Sequence, residues 1–455
     1  MSQTATSPAI LDYPEPVSDN PELIRRIVRR LIPFLCLLYV VNYLDRTNVA
    51  MAKLQMLGDT GISEQAYGVG AGLFFLGYFL FEVPSNLILE KVGARIWLTR
   101  IMVTWGLISG AMMFVRGPQS FYALRFLLGL AEAGFFPGVI VYLTHWFPSR
   151  DRARALAYFF VATPIAQVVS PKISNALLKI GTDEVVNGVA VHRPEVLGLE
   201  GWQWVYIFWG IPAVVLGVVV FFMLKDRPRD AHWLSVEERE ALEQELAREK
   251  ALRRPGHRMT VLEALRHPKV LLLACAYFFI VTGSYGVEFF LPSILQQWYA
   301  LKFDAITWLV ILPPLLALFG QLFVGWNSDR LKERRLHAVT PILVGATALA
   351  LAPFTRGHLF LTILCFMLAF AGFKSYLPAF WSLPSLFLTE AAAAGSIGLI
   401  NSIGNLGGFL GPYVLGKVET VTGSVVGGIY FLCASMTVSA TIILLIGLGR
   451  KETRD

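Results

Sequence analysis

Long apolar stretches separated by short polar connectors make up most of this sequence. The pattern predicts twelve helices, each about as long as a helix that crosses a membrane. They lie near 31–54, 65–90, 96–115, 119–146, 153–178, 203–224, 269–293, 304–326, 338–355, 358–386, 390–417 and 424–447. At a rise of about 1.5 Å per residue, each can cross a hydrocarbon core of about 30 Å. We therefore predict an all-α membrane protein.

The longest polar segment divides the predicted helices into two sets of six. Within it, Ser235 and Glu238 have the spacing of a capping box, which predicts an amphipathic helix that ends near Lys250. The long connector on the opposite side, 181–201, lies between the fifth and sixth helices. The predicted organisation is a polar tail over 1–24, a first half over 25–224, a linker over 225–268, a second half over 269–447 and a tail over 448–455.

Basic residues gather in the connectors on one side of the predicted bundle. Four arginines precede the first helix, and lysines or arginines follow the second, fourth, eighth and twelfth. The opposite connectors carry acids such as Asp183 and Glu184. Because cytoplasmic loops are rich in Lys and Arg, both termini are predicted to be cytoplasmic. Topology thus explains the net charge of +7, and we expect no nucleic-acid partner.

Composition agrees with a membrane protein and argues against several other classes. Hydrophobic residues make up 55% of the chain and charged residues 16%, whereas soluble domains carry about 25% charged residues. Residues 1–22 are polar and lack the apolar core of a secretory signal, so the first helix is expected to act as an uncleaved insertion signal. The four cysteines have neither disulfide nor metal-ligand spacing. We expect no metal, no cofactor and no enzymatic activity.

Four charged residues lie inside two of the apolar stretches. Asp45 and Arg46 are in the first, and Arg125 and Glu132 are in the fourth. An ionisable group at the middle of a bilayer costs about 2.5 to 17 kcal/mol, so it persists only where it is paired, hydrated or used. These four residues therefore predict a buried polar cavity that handles anions and protons.

Helical geometry places these groups relative to each other. Asp45 and Arg46 are neighbours and point about 100° apart, so one can face a partner helix while the other faces the cavity. Arg125 and Glu132 are two turns apart on one face, about 10 Å along the axis, which predicts other partners for each. Purely structural ion pairs between helices are the alternative interpretation.

The chemistry of the side chains suggests their roles. A guanidinium stays charged and binds carboxylates bidentately, which favours Arg46 and Arg125 as ligands of a substrate anion. A carboxyl group that is removed from water binds and releases its proton nearer to neutral pH. This favours Asp45 and Glu132 as proton carriers.

Two connectors form an internal repeat. Residues 86–95 and 325–334 each place an acid before a base at the same offset, and each follows the second helix of a six-helix half. Both resemble the loop motif Gly-x-Leu-Ala-Asp-Arg-x-Gly-Arg-Lys of the major facilitator superfamily, although Asn86 stands for the first Gly and the second copy lacks the later Gly. The resemblance implies a twelve-helix fold and a gate on the cytoplasmic side. The residues that it assigns to this gate are Glu90, Lys91, Arg95, Asp329 and Arg330.

Four further segments extend the resemblance to a single family within this superfamily. Residues 42–48, 77–86, 125–138 and 401–412 are similar to motifs of the anion:cation symporter family, which moves organic anions with protons or sodium. The resemblance assigns the anion site and the proton site to the same four charged residues. It also places neutral side chains in the cavity, for which helix packing is the alternative role: Tyr43, Tyr78, Trp381 and Asn401, with Tyr285 as a weaker candidate.

Lys374 departs from this family pattern. It interrupts the tenth predicted helix two turns from Trp381, where it can bind a second carboxylate, pair with Glu288 or extend toward the membrane surface. The first of these predicts import of a dicarboxylate such as tartrate with protons. Aromatic carboxylates and sugar acids, coupling to sodium, and a sensor or channel of transporter ancestry remain alternatives. We expect a monomer in a bacterial inner membrane, with the lipid bilayer, an organic anion and protons as its partners.

Overall fold

The computed structural model describes residues 21–148, 151, 155, 158–159, 162–186, 189–252, 263, 266–386 and 390–447. Almost all of this part of the chain is helical. The helices are α1 Pro21–Thr60, α2 Glu64–Val92, α3 Ala94–Ala111, α4 Pro118–Glu132, α5 Phe135–Thr144, α6 Ala162–Leu178, α7 Gly201–Met223, α8 Val236–Leu252, α9 Pro268–Tyr299, α10 Phe303–Leu331, α11 Arg335–Leu351, α12 Leu359–Ser375, α13 Leu377–Ser382, α14 Glu390–Asn405, α15 Gly407–Thr422 and α16 Val426–Ile446.

The described residues contain ten helical segments that are long and apolar enough to cross a membrane. They include every predicted helix except the fifth and the eleventh. The fifth is described only in part, as α6, and the eleventh as α14 and α15; neither is among the ten segments. An all-helical membrane fold is thus confirmed. One small β-hairpin is added in the long connector, where β1 Asp183–Val186 pairs with β2 Val189–His192.

Three predicted membrane helices are interrupted near their middle. The fourth breaks between α4 and α5, where Gly134 adopts a φ of 88°. A side chain there would collide with Ser85, since a Cβ would lie 2.1 Å from its hydroxyl oxygen. The tenth breaks between α12 and α13, next to Lys374, and the eleventh breaks at Leu406. Interrupted helices in a membrane protein place backbone polar groups where they line a cavity.

The first helix is longer than its apolar stretch predicts. It begins at Pro21, and its first turns bury Leu23, Ile24 and Ile27 while the arginines stay on the surface. Arg26 forms an ion pair with Glu238 of α8, and the guanidinium of Arg30 lies 5.2 Å from the Trp233 ring centroid. The linker therefore packs against the start of the chain.

The capping box of the linker forms as its spacing predicts. The Ser235 amide donates to the Glu238 carboxylate at 3.0 Å, and the Glu238 amide donates to the Ser235 hydroxyl at 3.2 Å. Helix α8 follows from Val236, two residues longer than predicted. The terminal tails, 1–20 and 448–455, and linker residues 253–262 lie outside the described part of the chain. The division into two halves stays a prediction.

The two repeated connectors end their helices in related ways. Gly93 follows α2 with a φ of 90°, and Lys332 follows α10 with a φ of 51°. These residues stand at the same offset after each acid–base pair. A positive φ costs little for glycine and more for lysine. The second copy of the repeat nevertheless keeps the backbone conformation of the first, although a lysine replaces the glycine.

The predicted halves meet closely at the ends of α2 and α15 opposite the arginine-rich start of the chain. We call this the outer side. A Cβ on Gly68 would lie 2.3 Å from the Pro412 carbonyl oxygen, and one on Gly416 would lie 2.3 Å from that of Glu64. The Gln65 amide also donates to the Thr420 hydroxyl at 2.9 Å. The outer ends are therefore packed together through small residues, which allow helices to approach closely.

Candidate functional site

The centre of the site is an ion pair between α1 and α4. Arg46 donates to one oxygen of Glu132 twice, from Nε at 3.1 Å and from Nη2 at 2.5 Å. The Glu132 side chain is fully buried, whereas 14% of the Arg46 side chain is exposed. The second Glu132 oxygen has no hydrogen-bond partner among the described residues. The base is thus the more exposed partner of the pair, and the acid is the more buried one.

Aromatic side chains hold the Arg46 guanidinium in place. It lies 5.1 Å from the Tyr78 ring centroid and 5.4 Å from that of Phe74. Its Nη1 also donates to the Tyr285 hydroxyl at 3.5 Å, which connects α1 to α9 in the second half. Cation–π contacts of this kind are worth about 0.5 to 2 kcal/mol. The cation is therefore held in one position while part of it stays open to a ligand.

Arg125 lies behind the same phenyl ring. Its guanidinium is 4.9 Å from the Phe74 ring centroid and fully buried, and its Nη2 donates to the Ala71 carbonyl at 3.4 Å. Its Nε and Nη1 have no hydrogen-bond partner within the described chain. As the helical spacing predicts, Arg125 and Glu132 are not directly paired, and Arg125 remains a buried cation with unused donors.

Asp45 faces away from the cavity, toward α3. Its carboxylate accepts hydrogen bonds from Trp105 Nε1 and Ser109 Oγ, both at 2.6 Å, and from Asn48 Nδ2 at 3.3 Å. The side chain is fully buried. Asp45 and Arg46 therefore point to different surroundings, as their 100° separation predicts.

A second charged cluster lies on the side of the second half. The Glu288 carboxylate of α9 accepts from the Tyr43 hydroxyl at 2.6 Å, from Gln167 Nε2 at 3.2 Å and from Lys374 Nζ at 3.5 Å. The Lys374 ammonium lies 5.9 Å from the Tyr285 ring centroid. Of the three positions open to Lys374 from the sequence, the structure therefore shows the pair with Glu288.

A cavity of about 60 Å³ adjoins this cluster. Helices of both predicted halves contribute to its wall, which includes Thr47, Gln167, Ser170, Glu288 and Phe370. Such a volume holds about two water molecules. The cavity thus has room for water beside Glu288.

Glu82 connects the halves nearer the inner side. Asn401 Nδ2 and Ser402 Oγ of α14 each donate to the Glu82 carboxylate at 2.8 Å. Trp381 of α13 is half-buried, and its ring lies 5.0 Å from that of Tyr277, edge to face. Asn401 thus contacts an acid of the first half, and Trp381 lies in an aromatic cluster.

The predicted gate residues are partly described. The side chains of Glu90 and Asp329 lie outside the described part of the chain. Lys91 is exposed, and Arg330 lies 5.4 Å from the Trp326 ring centroid. The Arg95 amide donates to the Asp226 carboxylate at 2.8 Å, and its Nε donates to the Phe221 carbonyl at 2.6 Å.

Several polar residues of the site were not predicted as site residues. Gln167 and Glu82 each interrupt an apolar stretch, and this is the signal by which the sequence reveals them. Lys53 is a third case: it is buried near the outer end of α1, where its Nζ lies 2.5 Å from a Glu64 oxygen. No group of His, Cys, Asp and Glu side chains in the described residues has the arrangement of a metal site.

Comparison with known proteins identifies the family. The model of the Major Facilitator Superfamily matches residues 35–412. A protein of Agrobacterium vitis named "Putative tartrate transporter" is 44% identical over 94% of this chain and 96% of its own. The quinolone resistance transporter of Acinetobacter baumannii is 41% identical over 95% of this chain and 97% of its own.

A solved structure agrees with the fold. The xylose transporter XylE from E. coli, in a partially occluded inward open conformation, covers 92% of this chain and 97% of its own, with 13% identity and a TM-score of 0.69. Such a distant likeness concerns the fold alone, whereas the family model and the relatives identify the chain. It is a multi-pass membrane transporter rather than an enzyme, and it belongs to the Major Facilitator Superfamily.

Proposed function

We propose that this chain imports an organic carboxylate together with protons by alternating access. The pair of Arg46 and Glu132 carries the proposal. Arg46 is partly exposed, whereas Glu132 is fully buried and keeps one oxygen free of partners among the described residues. A proton on that oxygen neutralises the acid and leaves the cation able to bind an anion.

The cycle starts with proton uptake on the outer side. A protonated Glu132 holds Arg46 less strongly, because the neutral acid has lost the Coulomb attraction of a carboxylate for the guanidinium cation. The substrate carboxylate then pairs with Arg46, and the halves move around the loaded site. On the inner side the acid loses its proton, the ion pair forms again and the substrate leaves.

The other site residues have supporting roles in this proposal. Arg125 is a second anion ligand, which the substrate reaches when Phe74 moves, and Asp45 is the second candidate proton carrier. The neutral residues that bind substrate hydroxyls or form a wall of the site are Tyr43, Tyr78, Tyr285, Trp381 and Asn401. The inner gate consists of Glu90, Lys91, Arg95, Asp329 and Arg330.

The proposed substrate is a dicarboxylate such as tartrate. Lys374 and Arg46 both contact Tyr285, so the two cations are near enough for each to bind one carboxylate of the same substrate. The name of the Agrobacterium vitis relative supports this choice. Aromatic carboxylates and sugar acids remain the alternatives for the same basic site.

Purified protein in liposomes tests the proposal. An inward proton gradient should drive tartrate accumulation, and a proton ionophore should abolish it. Glu132→Gln keeps the shape of the side chain but cannot release a proton, so this variant should lose accumulation while retaining exchange of tartrate. Accumulation by this variant would refute the role of Glu132, and a requirement for sodium would refute proton coupling.

Substrate choice needs a separate measurement. A thermal-shift screen should show the largest stabilisation with the true ligand, because a ligand that binds only the folded state raises its apparent stability. The panel should hold dicarboxylates, aromatic carboxylates, sugar acids and a quinolone, since one relative is named a quinolone resistance transporter. Stabilisation by the quinolone alone would favour drug export over import of a carboxylate.

The proposed setting is a bacterial inner membrane, with the chain acting as a monomer. Bacterial relatives that align over almost the whole chain support the location. The first half would carry the proton pair and Arg125, and the second half would carry Lys374. Fractionation of the expressing cells and the mass of the detergent-solubilised particle test the location and the monomer.

A further inference from the structure

Two ion pairs with the same construction face the centre of the molecule. In each pair the acid is the more buried partner: Glu132 is fully buried against 14% exposure for Arg46, and Glu288 is 8% exposed against 21% for Lys374. Tyr285 lies between the cations, because its hydroxyl accepts from Arg46 Nη1 at 3.5 Å and its ring centroid is 5.9 Å from Lys374 Nζ.

The positions of the pairs in the fold correspond as well. Glu132 is the last residue of α4, where the fourth predicted membrane helix breaks. Lys374 is the penultimate residue of α12, where the tenth breaks. The fourth and tenth helices hold the same place in the two predicted halves of six. Interrupted helices in corresponding positions mark the binding site of many transporters.

We infer that Glu288 is a second proton-binding residue, which makes the site selective for doubly charged anions with two protons moved per anion. The inference rests on the proposed function. Each carboxylate of the substrate replaces one buried acid at one cation, at Arg46 in the first half and at Lys374 in the second. Each displaced acid, Glu132 or Glu288, takes one proton.

Charge balance is the physical reason for the second proton. In the empty site two cations face two carboxylates, so these four groups sum to zero. With a dianion bound and both acids protonated, the sum is again zero. With only one proton bound, the loaded site carries one uncompensated negative charge in a low-dielectric interior, where an unpaired charge is expensive. A monoanion needs only one proton, because the pair of Lys374 and Glu288 then stays intact.

The surroundings of Glu288 suit a carboxyl group that alternates between a protonated and an ionised state. Tyr43 of α1 and Gln167 of α6 contact it from the first half, and Lys374 of α12 contacts it from the second. Two of these three partners are neutral and can remain hydrogen-bonded to a protonated acid. A cavity borders the carboxylate, and Gln167 is also one of its lining residues, so water has access to the group. Asp45, in contrast, accepts from three donors on the far side of α1.

The number of protons can be measured as a charge. Liposomes that contain the wild-type protein, with potassium and valinomycin to set the voltage, should take up tartrate at a rate independent of voltage. One proton per dianion would instead move a net negative charge, and uptake would then increase when the inside is made positive. Proton uptake recorded with a pH dye should give two protons per tartrate.

Three results would overturn the inference while leaving the proposed proton symport in place. They are one proton per tartrate in the wild type, two protons per tartrate in Glu288→Gln, and transport restricted to monocarboxylates. Absence of any proton movement would contradict the proposed function itself. The expected result for Glu288→Gln is one proton per tartrate, with a several-fold slower rate, because Lys374 then carries an unpaired charge in the empty site.

A double variant keeps the inference testable if Glu288→Gln alone does not fold. In Glu288→Gln combined with Lys374→Gln, both charges of the second pair are removed, so the empty site is again balanced. This variant should bind a monocarboxylate more tightly than tartrate and move one proton per molecule. If it still prefers tartrate as the wild type does, Lys374 and Glu288 do not form the second anion and proton site, and the inference fails.

Discussion

At the scale of single residues, two side chains of the same chemistry have different surroundings. Asp45 and Glu132 are both buried acids and received the same role from the sequence. Asp45 is held by three donors, whereas Glu132 has one cationic partner and one oxygen without a hydrogen bond among the described residues. Full hydrogen bonding stabilises a carboxylate in place, and a free oxygen leaves room for a proton. We therefore expect Glu132 to take the larger part in proton movement, while Asp45 also attaches α1 to α3.

Because three donors hold Asp45, we expect removal of its charge to lower the stability of the protein. The two carboxylate oxygens of Asp45 accept separately from Trp105 and from Asn48. Whichever oxygen Asp45→Asn replaces with an amide NH2, one of these donors loses its acceptor, which costs about 1 to 3 kcal/mol. The variant should lose that much stability in thermal or denaturant unfolding, whereas Ser109→Ala, the control, should lose about 1 kcal/mol. A stable Asp45→Asn protein that had lost proton coupling would instead make Asp45 a proton carrier.

For Arg125 we predict that removal of the charge stabilises the protein, whereas removal of the Asp45 charge destabilises it. Its guanidinium is fully buried and leaves Nε and Nη1 without hydrogen bonds within the described chain. Burial of unpaired polar groups costs about 1 to 3 kcal/mol in mutational data. Arg125→Met should therefore raise the free energy of unfolding without ligand and abolish transport. Arg116→Met removes an exposed arginine and should change neither, while a destabilised Arg125→Met would show that Arg125 has a structural role.

The sequence predicts the residues of the site better than their contacts. Helical periodicity fixes the direction of a side chain within its own helix, so the separation of Asp45 from Arg46 was predictable. The contacts of Arg46 with Glu132 and of Tyr43 with Glu288 depend on how different helices are placed, and periodicity holds no information on that. The sequence indicates Glu288 only as one possible partner of Lys374.

At the scale of elements, helix length was predictable and helix interruption was not. The length of an apolar stretch indicates the thickness of membrane that its helix crosses. A break at the middle of the helix barely changes the composition of the stretch, so composition does not reveal the break. Close contacts adjoin the breaks, because a Cβ on Gly134 would lie 2.1 Å from the Ser85 hydroxyl oxygen and one on Gly407 would lie 2.2 Å from the Phe278 carbonyl oxygen. Tertiary packing therefore sets the breaks, although glycines in the sequence permit them.

The close approach of α2 and α15 predicts how one methyl group should affect the cycle. In Gly416→Ala the new Cβ would lie 2.3 Å from the Glu64 carbonyl oxygen, which is backbone and has little room to move. The outer ends should stay apart, so transport should slow several-fold while substrate still binds from outside. Gly398→Ala is the matched control, because a Cβ there meets nothing within 4 Å. Equal transport rates in both variants would mean that this contact is not needed.

At the scale of the whole molecule, charge also closes the outer side. Lys53 of α1 is buried, with Nζ 3.9 Å from the Phe290 ring centroid and 2.5 Å from a Glu64 oxygen. Glu419 of α15 is an electrostatic neighbour of Lys53, and Gln297 donates to it at 3.2 Å. Lys53 and Glu64 belong to the first predicted half, and Glu419 and Gln297 belong to the second. Opening of the outer side separates Lys53 from Glu419, so their attraction stabilises the closed arrangement.

Glu419→Gln should therefore shift the molecule toward an open outer side. Lys53 keeps Glu64 as a partner, so the fold should survive the substitution. Loss of an attraction worth about 1.4 kcal/mol would change the ratio of open to closed molecules about tenfold. Spin labels at Gly58 and Val421, which lie in the two halves near their outer ends, would report this as a longer distance. The exposed acid Glu195 provides the control, since Glu195→Gln removes the same charge outside the cluster. An unchanged distance distribution in Glu419→Gln would show that helix packing alone closes the outer side.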